Sequence, residues 1–172
     1  MPGAGKSTIA DGLKSKGYDI INMGNVVRTE AKNRNLEPTG HNLGKLMIEL
    51  REKNGQGAIA ELVVPQIENT KSKVVIIDGI RSNAEIEVLR KHGTVKLLAI
   101  HASTNTRFGF LKHRGRSDDP QTQENFEERD NREIGVGISN SIALSDETIS
   151  NNNLTKDELI DHSFKIIEGW IK

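Results

Sequence analysis

The sequence has no cysteine, few aromatic residues and no net charge, and each absence narrows the classes of protein to consider. Without cysteine, disulfide bonds and thiolate chemistry are excluded. Aromatic residues make up 3% of the chain, too few for the stacking platforms that bind single-stranded nucleic acid. Lys and Arg total 24, as do Asp and Glu, so no general attraction to nucleic acid or to an anionic membrane is expected.

Long apolar runs and internal repeats are also missing. No run approaches the length of a membrane-spanning helix, and the first residues do not resemble a signal peptide. We therefore expect a cytoplasmic protein that does not associate with a membrane. A chain of 172 residues is long enough for a sizeable core, and we expect a single domain over residues 1–172.

The first eight residues carry the clearest chemical pattern in the chain. They match the second half of the phosphate-binding pattern G-x-x-x-x-G-K-[ST]. Gly3 and Gly5 let the backbone curl so that successive N–H groups point at an anion. Lys6 would reach the β- and γ-phosphates of a nucleotide, Ser7 would bind Mg²⁺, and the following helix would add its positive N-terminal end. The predicted nucleotide-binding residues are Met1, Pro2, Gly3, Ala4, Gly5, Lys6, Ser7 and Thr8.

Two alternatives to this interpretation stay open at this point. The string Gly5-Lys6-Ser7 also fits an ordinary capped helix start. The first glycine of the full pattern would lie one residue before Met1, as would the buried strand that normally leads into such a loop. We therefore expect that the chain is truncated before this glycine. One possibility is that the chain, delimited in this way, is too short to bind a nucleotide.

Hydrophobic periodicity predicts strands that alternate with helices. The predicted strands cover 18–23, 73–78, 95–101 and 148–151. The predicted helices cover 6–16, 24–37, 42–53, 58–68, 82–93, 106–112 and 123–134, and a last helix begins at Thr155. This alternation is typical of βαβ units, so we predict an open, three-layer α/β fold with a parallel sheet. Capping boxes are expected at Ser82–Glu85 and Thr155–Glu158, a kink at Pro65, and only a turn around Gly135 and Gly137.

Asp78 ends a continuous β-branched strand, at the edge where an open α/β sheet places its ligand groups. A carboxylate there can share a Mg²⁺ ion with Ser7, although a strand-end aspartate can equally cap the next turn. Arg28 and Arg81 are expected near the same edge, where a guanidinium can bind an anion through two hydrogen bonds. For each of these arginines, solvated surface is the alternative.

A basic segment follows the third predicted strand. Arg116 lies in a polar, turn-rich loop, and Arg129 and Arg132 share a face of the next helix. Phosphoryl transfer needs positive charge around the transferred group and a mobile loop that excludes water, so we interpret 113–122 as a lid. The alternative is an ordinary charged face in which Asp118, Glu128 and Asp130 are local partners. His101 is expected to be a satisfied polar residue.

Five segments resemble the nucleoside-monophosphate-kinase branch of P-loop proteins over nearly the whole chain. Residues 22–28 (NMGNVVR) and 78–81 (DGIR) are similar to the G-D-x-x-R and D-G-F-P-R segments of adenylate kinases. Residues 114–119 (RGRSDD) and 129–132 (RDNR) occupy the lid and post-lid arginine positions. Residues 145–152 (SDETISNN) resemble the A-D-x-x-I-x-N-N ending of dephospho-CoA kinases. The combination is most similar to an uncharacterised archaeal family described as adenylate-kinase-like or dephospho-CoA-kinase-like.

The resemblance implies a P-loop NTPase fold of nucleotide-kinase type with strand order 2-3-1-4-5. Strand 1 is central in this order, so a chain that lacks it would show a gap in the middle of its sheet. The resemblance also implies an acceptor-binding helical insertion at about 25–70. Asn25 departs from the family pattern, where an aspartate is usual.

The function implied is an ATP- and Mg²⁺-dependent phosphotransferase that moves the γ-phosphate to a nucleotide-like or coenzyme-like acceptor. The residues expected to act on the transferring group are Lys6, Asp78, Arg116, Arg129 and Arg132. Arg28 and Arg81 would bind the phosphate of a small-molecule acceptor, and Ser7 and Asp78 would hold the metal. The alternative function is a non-catalytic ATP-dependent switch that acts through a protein partner. A nucleic acid partner is not expected.

Overall fold

A computed structural model of the protein describes residues 1–172 and contains four strands and ten helices. The strands are β1 (Asp19–Asn22), β2 (Val75–Asp78), β3 (Leu98–His101) and β4 (Glu147–Ser150). The helices of the first half are α1 (Lys6–Ser15), α2 (Met23–Asn33), α3 (Gly40–Asn54), α4 (Ala58–Glu61) and α5 (Val64–Asn69). Those of the second half are α6 (Asn83–Arg90), α7 (Thr104–Arg114), α8 (Gln123–Val136), α9 (Ile138–Ala143) and α10 (Lys156–Ile171).

The strands form two separate parallel pairs. β1 pairs with β2 in the register Asp19 to Val75, and β3 pairs with β4 in the register Leu98 to Glu147. No strand is hydrogen-bonded between β2 and β3. The predicted parallel α/β architecture is confirmed, and the sheet is interrupted where a gap was expected. The truncation of the chain before Met1 stays a prediction.

Two hydrophobic clusters lie on either side of this interruption. The first joins α2, α3, α4 and α6 to β1 and β2, around buried residues such as Met23, Leu46 and Ile59. The second joins α1 and α10 to β3 and β4, around Leu13, Ile149 and Leu159. Ile20 and Ile76 of the first strand pair also pack against the second cluster, so α1 connects the two halves.

Two predicted elements are wrong in detail. The predicted helix 58–68 is not kinked at Pro65 but divided into α4 and α5, and Pro65 lies in the first turn of α5, where its missing N–H costs nothing. The region of Gly135 and Gly137 is not only a turn. Gly135 lies inside α8, and Gly137, with φ of 107°, ends α8 and begins α9.

One predicted capping box is complete and the other is half formed. Thr155 and Glu158 exchange both bonds at the start of α10. Ser82 accepts the N–H of Glu85 at the start of α6, but the Glu85 carboxylate binds Arg81 N–H and Arg51 instead of returning to Ser82. None of the ten helices combines the length and the hydrophobicity that crossing a bilayer requires.

Candidate functional site

A cavity of about 600 Å³ opens at the carboxyl ends of β1 and β2 and the beginning of α1. Such an opening is where an open α/β sheet binds its ligands. Most of the predicted site residues line this cavity: Pro2, Gly3, Gly5, Lys6, Ser7, Thr8, Arg28, Asp78, Arg81, Arg116, Arg129 and Arg132. Met1 and Ala4 do not line it, and Ala4 is fully buried beneath the loop.

The loop before α1 has the curled backbone that its glycines predict. Gly3 and Gly5 have φ of 78° and 105°, in the left-handed region that favours glycine. No acceptor in the protein receives the backbone N–H groups of Gly3, Ala4 or Gly5. Unpaired N–H groups at a helix N-terminus are a suitable site for an anion, because they and the helix dipole both present positive charge.

Lys6 lies beside this row of N–H groups. Its Nζ donates a hydrogen bond to the carbonyl oxygen of Met1 at 2.7 Å. Burial lowers the pKa of Lys6 from 10.5 to about 8, and the charge of Asp78 opposes this effect. Burial disfavours the charged form of Lys6, and a nearby anion would favour it again. The loop is therefore suited to a negatively charged ligand.

Ser7 and Asp78 line the same cavity, and their oxygen atoms are ligands that Mg²⁺ prefers. Asn22, the last residue of β1 and the register partner of Asp78, donates from Nδ2 to one carboxylate oxygen of Asp78 at 2.6 Å. The second oxygen of Asp78 and the hydroxyl of Ser7 make no hydrogen bond within the protein. This donor set fits a Mg²⁺ ion that keeps several water ligands and binds nucleotide phosphates.

The two arginines predicted to bind an acceptor already have carboxylate partners. Arg28 donates two hydrogen bonds of 3.0 Å to Asp118 of the loop after α7. Arg81 donates to Glu133 of α8 at 2.6 Å. Burial alone would raise the pKa of Asp118 and of Glu133, but Arg28 and Arg81 respectively hold each pKa below its usual value.

The two α8 arginines differ in their partners. Arg129 donates to the carbonyl oxygen of Asp118 at 2.9 Å, and burial lowers its pKa. Arg132 makes no hydrogen bond, and its Nε is buried without a partner. Its guanidinium lies against Gly44 of α3, where a Cβ would approach within 2.8 to 3.1 Å of three guanidinium atoms. Arg132 therefore has unused binding capacity in the cavity.

The loop between α7 and α8 lies against the beginning of α3 at the rim of the cavity. Arg114 binds Asp119 within the loop, and Ser117 Oγ donates to the carbonyl oxygen of Pro38 at 3.3 Å. A Cβ on Gly40 would lie 3.3 Å from the Asp118 carbonyl oxygen, so the loop and the beginning of α3 are in close contact. Arg116 is exposed and has no ion-pair partner.

The cavity also has apolar walls. Two apolar residues line it near α7 and the beginning of α10: Phe110, which is 45% exposed, and Leu154. Val27, Leu43 and Met47 line it on the side of α2 and α3. A ligand with a phosphate centre and apolar or aromatic ends would fit such a cavity.

Several residues of this site were not found by sequence reasoning. Asp118 was read only as a local partner of nearby basic residues, and Glu133, Asn151 and Gly44 were not singled out. Glu133 follows Arg132 in a charged helix, a pattern that gives no sign of a partner 52 residues away. Asn151 is the one for which a signal existed, since it ends a predicted strand as Asp78 does.

Comparison with known proteins shows which family the chain resembles. A family model described as "AAA domain" matches residues 1–127, from the phosphate-binding loop into α8. A UPF0200 protein of Methanocaldococcus jannaschii is 47% identical over 159 residues, which cover 91% of this chain and 81% of that protein. A UPF0200 protein of Pyrococcus horikoshii is 39% identical over 178 residues, covering 99% and 96%.

The chain belongs to the UPF0200 family. A similar UPF0200 protein of Hyperthermus butylicus is 42% identical over 151 residues, which cover 88% of this chain and 81% of that protein. The predicted archaeal family is thereby confirmed, and the match to residues 1–127 makes this UPF0200 chain a P-loop, kinase-like domain of a nucleotide-binding class.

The fold of the UPF0200 chain is shared with a solved structure. The crystal structure of TT1252 from Thermus thermophilus superposes with a TM-score of 0.68 and covers 99% of this chain and 94% of its own. The two sequences are only 16% identical, so the likeness concerns the fold alone. Together with the family match over residues 1–127, this likeness confirms the predicted P-loop fold of nucleotide-kinase type.

Proposed function

We propose that this protein is a phosphotransferase that moves the γ-phosphate of ATP to a small acceptor bearing a phosphate. The observation that carries this proposal is the shared cavity. Gly3 and Gly5, whose N–H groups are unpaired, line the same cavity as Lys6 and the arginines Arg28, Arg81 and Arg132. Two groups of anion-binding residues in one cavity suit a reaction between two phosphate-bearing molecules.

ATP is assigned to the loop at the beginning of α1. The N–H groups of Gly3 and Gly5 would donate to its β- and γ-phosphates, and Lys6 would exchange the carbonyl oxygen of Met1 for a phosphate oxygen. Ser7 and Asp78 would hold a Mg²⁺ ion. When bound, this ion neutralises negative charge on the phosphates and so favours nucleophilic attack.

The acceptor is assigned to the side of α2 and α3, within an acceptor-binding insertion at about 25–70. Arg28 and Arg81 would bind its phosphate, each leaving its carboxylate partner, Asp118 or Glu133, as the stronger anion enters. Val27, Leu43 and Met47 would contact its apolar part.

Arg116, Arg129 and Arg132 would surround the transferring group. Phosphoryl transfer requires little covalent work from a protein, so positioning and electrostatic stabilisation of the equatorial oxygens supply the rate. The lid at 113–122, already in contact with Pro38 and Gly40, would keep water from competing with the acceptor.

Acceptor dependence tests the proposal directly. ADP release from ATP and Mg²⁺ would be measured alone and with nucleoside monophosphates and dephospho-CoA in turn. A rise of tenfold or more with one acceptor, together with the phosphorylated product, would support a kinase and identify its substrate class. A slow rate that no acceptor changes would contradict transfer and favour the nucleotide switch. Absence of ATP binding would contradict both functions.

A further inference from the structure

We propose that Arg107 and Asn151 are positioning residues that orient the N–H groups of the phosphate-binding loop, and that Arg107 links this loop to the arginine helix α8. The inference rests on the proposed phosphate-binding role of the loop. Neither residue carries a sequence motif for this task. Both are identified by the backbone oxygen atoms that they hold.

Arg107 lies in α7 and is 4% exposed. Its Nη1 donates to the carbonyl oxygen of Pro2 at 3.2 Å and to Asp130 of α8 at 2.9 Å, and its Nη2 donates to the second oxygen of Asp130 at 2.5 Å. The guanidinium also lies over the ring of Phe126, 4.9 Å from the centroid. The guanidinium of Arg107 is planar and rigid, so its contacts with Asp130 and Phe126 of α8 set the direction of the N–H that binds the loop.

Asn151 holds the next part of the loop in the same way. It is 3% exposed, directly follows β4, and donates from Nδ2 to the carbonyl oxygen of Ala4 at 3.0 Å. Its own N–H donates to the carbonyl oxygen of His101 at 2.7 Å, so the end of β3 fixes its backbone.

Peptide geometry converts these two bonds into an orientation of the loop. In a planar trans peptide the carbonyl of one residue and the N–H of the next point in opposite directions. A donor that holds the Pro2 carbonyl therefore directs the N–H of Gly3 away from Arg107, and one that holds the Ala4 carbonyl directs the N–H of Gly5 away from Asn151. Those are the N–H groups that find no acceptor in the protein and that belong to residues lining the cavity.

The glycines show how closely these holders approach. A Cβ on Gly3 would lie 2.6 Å from the carbonyl oxygen of Arg107, and one on Gly5 would lie 2.5 Å from Nδ2 of Asn151. The loop is thus pressed against both residues with no room for a side chain. Small changes in either residue must be transmitted to the backbone that they contact.

Arg107 also connects two sets of anion-binding residues. Its partner Asp130 lies between Arg129 and Arg132 in sequence, on the helix that brings both arginines to the cavity. The bidentate pair therefore fixes the position of α8 relative to the loop. Loss of Arg107 should change both the orientation of the N–H groups and the placement of the transfer arginines.

The test compares Arg107 with a second buried arginine that has no contact with the loop. Arg51 is also 4% exposed and pairs with a buried carboxylate, Glu85, at 2.7 Å. The variants Arg107→Met, Arg107→Lys, Asn151→Ala and Arg51→Met would be compared with the full wild-type chain. Calorimetry would give the dissociation constants of ATP with Mg²⁺ and of pyrophosphate alone, and circular dichroism would give the melting temperature.

We expect Arg107→Met to weaken the binding of pyrophosphate and of ATP at least tenfold, and Asn151→Ala to weaken both at least threefold. Arg107→Lys should recover part of the loss, because an ammonium can still donate to the Pro2 carbonyl. Arg51→Met should lower the melting temperature by a similar amount yet leave both dissociation constants within twofold. Should Arg107→Met fail to fold, Arg107→Lys and Asn151→Ala decide the question.

Three outcomes would overturn either the positioning role or the proposed function. If the wild type binds pyrophosphate and ATP and the Arg107 and Asn151 variants bind them equally well, the positioning role is wrong and the proposed function stands. The positioning role is also wrong if Arg51→Met weakens phosphate binding as much as Arg107→Met, because a general loss of stability then explains both. If the wild type binds neither ligand, the proposed function itself fails.

Discussion

At the scale of single residues, the cavity arginines differ in whether they have a carboxylate partner. Arg28 and Arg81 are neutralised by Asp118 and Glu133, whereas Arg132 has no partner. An incoming anion must compete for the first two and meets the third without competition. The net positive charge available to an acceptor is therefore smaller than a count of arginines suggests.

Lys6→Ala should reduce turnover by more than about tenfold, equivalent to ~1.4 kcal/mol of activation free energy, if the ammonium acts on the transferring phosphate as proposed. Folding should change little, since the Nζ makes one hydrogen bond, to the Met1 carbonyl. Steady-state ADP release and a thermal melt measure the two effects. Activity within tenfold of the wild type would contradict the role of Lys6.

Phosphate binding should depend on pH through Lys6, whose pKa burial lowers to about 8. Above pH 8 the free protein has lost this proton, and a bound phosphate restores it, so affinity should fall as pH rises and binding should take up a proton. The same shift makes folding stability rise between about pH 8 and 10.5, because the unfolded lysine holds its proton longer. Calorimetry in two buffers of different ionisation enthalpy measures the uptake, which Lys6→Ala should abolish.

Asp118→Asn should strengthen the binding of inorganic phosphate about threefold to tenfold, because Arg28 loses the carboxylate that competes with the ligand. Asp146→Asn provides the control, since Asp146 pairs with Lys96 far from the cavity at a similar distance, 2.9 Å. Isothermal titration of phosphate compares the two. Equal affinities in both variants and the wild type would show that Asp118 does not compete for the site.

At the scale of elements, two helical glycines with different surroundings form a matched pair. A Cβ on Gly44 of α3 meets the Arg132 guanidinium at 2.8 Å, whereas nothing lies within 4 Å of a Cβ on Gly109 of α7. Gly109→Ala should stabilise the fold by up to ~1 kcal/mol through helix propensity alone. Gly44→Ala should fold as well but displace Arg132, lowering turnover about tenfold. Unchanged turnover in Gly44→Ala would argue against a role for Arg132 in transfer.

The elements that the sequence predicts well are those with strong local signals. The run 73–78 and the periodicity of α3 and α10 led to correct elements, because burial of an apolar face decides them. The division at Pro65 was predicted only as a kink, and α9 was missed because its six residues are too short for periodicity to show. Boundaries moved by one to four residues, as Leu98 rather than Val95 begins β3 and α2 ends at Asn33.

The site was predictable only where adjacent residues in the sequence indicate a residue's role. Lys6, Ser7 and Asp78 could be placed together because loop and strand-end patterns are local, and the structure does bring them to one cavity. Partnerships such as Arg28 with Asp118, 90 residues apart, depend on how helices pack around the cavity. No spacing in the sequence encodes that packing.

At the scale of the whole molecule, two strand pairs and two hydrophobic clusters suggest two cooperative units. Hydrogen exchange should show one group of amides in β1, β2 and α3 and another in β3, β4 and α10, with distinct opening free energies. ATP with Mg²⁺ should slow exchange in both, because the cavity takes residues from each. A single exchange class for the whole chain would contradict this division.

The contact between the lid and the acceptor helices has a consequence for binding kinetics. Asp118 and Ser117 join the proposed lid to Arg28 and Pro38, and we expect the proposed acceptor to enter while those bonds are broken. Association should then be limited by opening, and the observed rate in a rapid-mixing experiment should level off as ligand concentration rises. Asp118→Asn should raise that plateau, because the ion pair between Arg28 and Asp118 would no longer hold the loop closed.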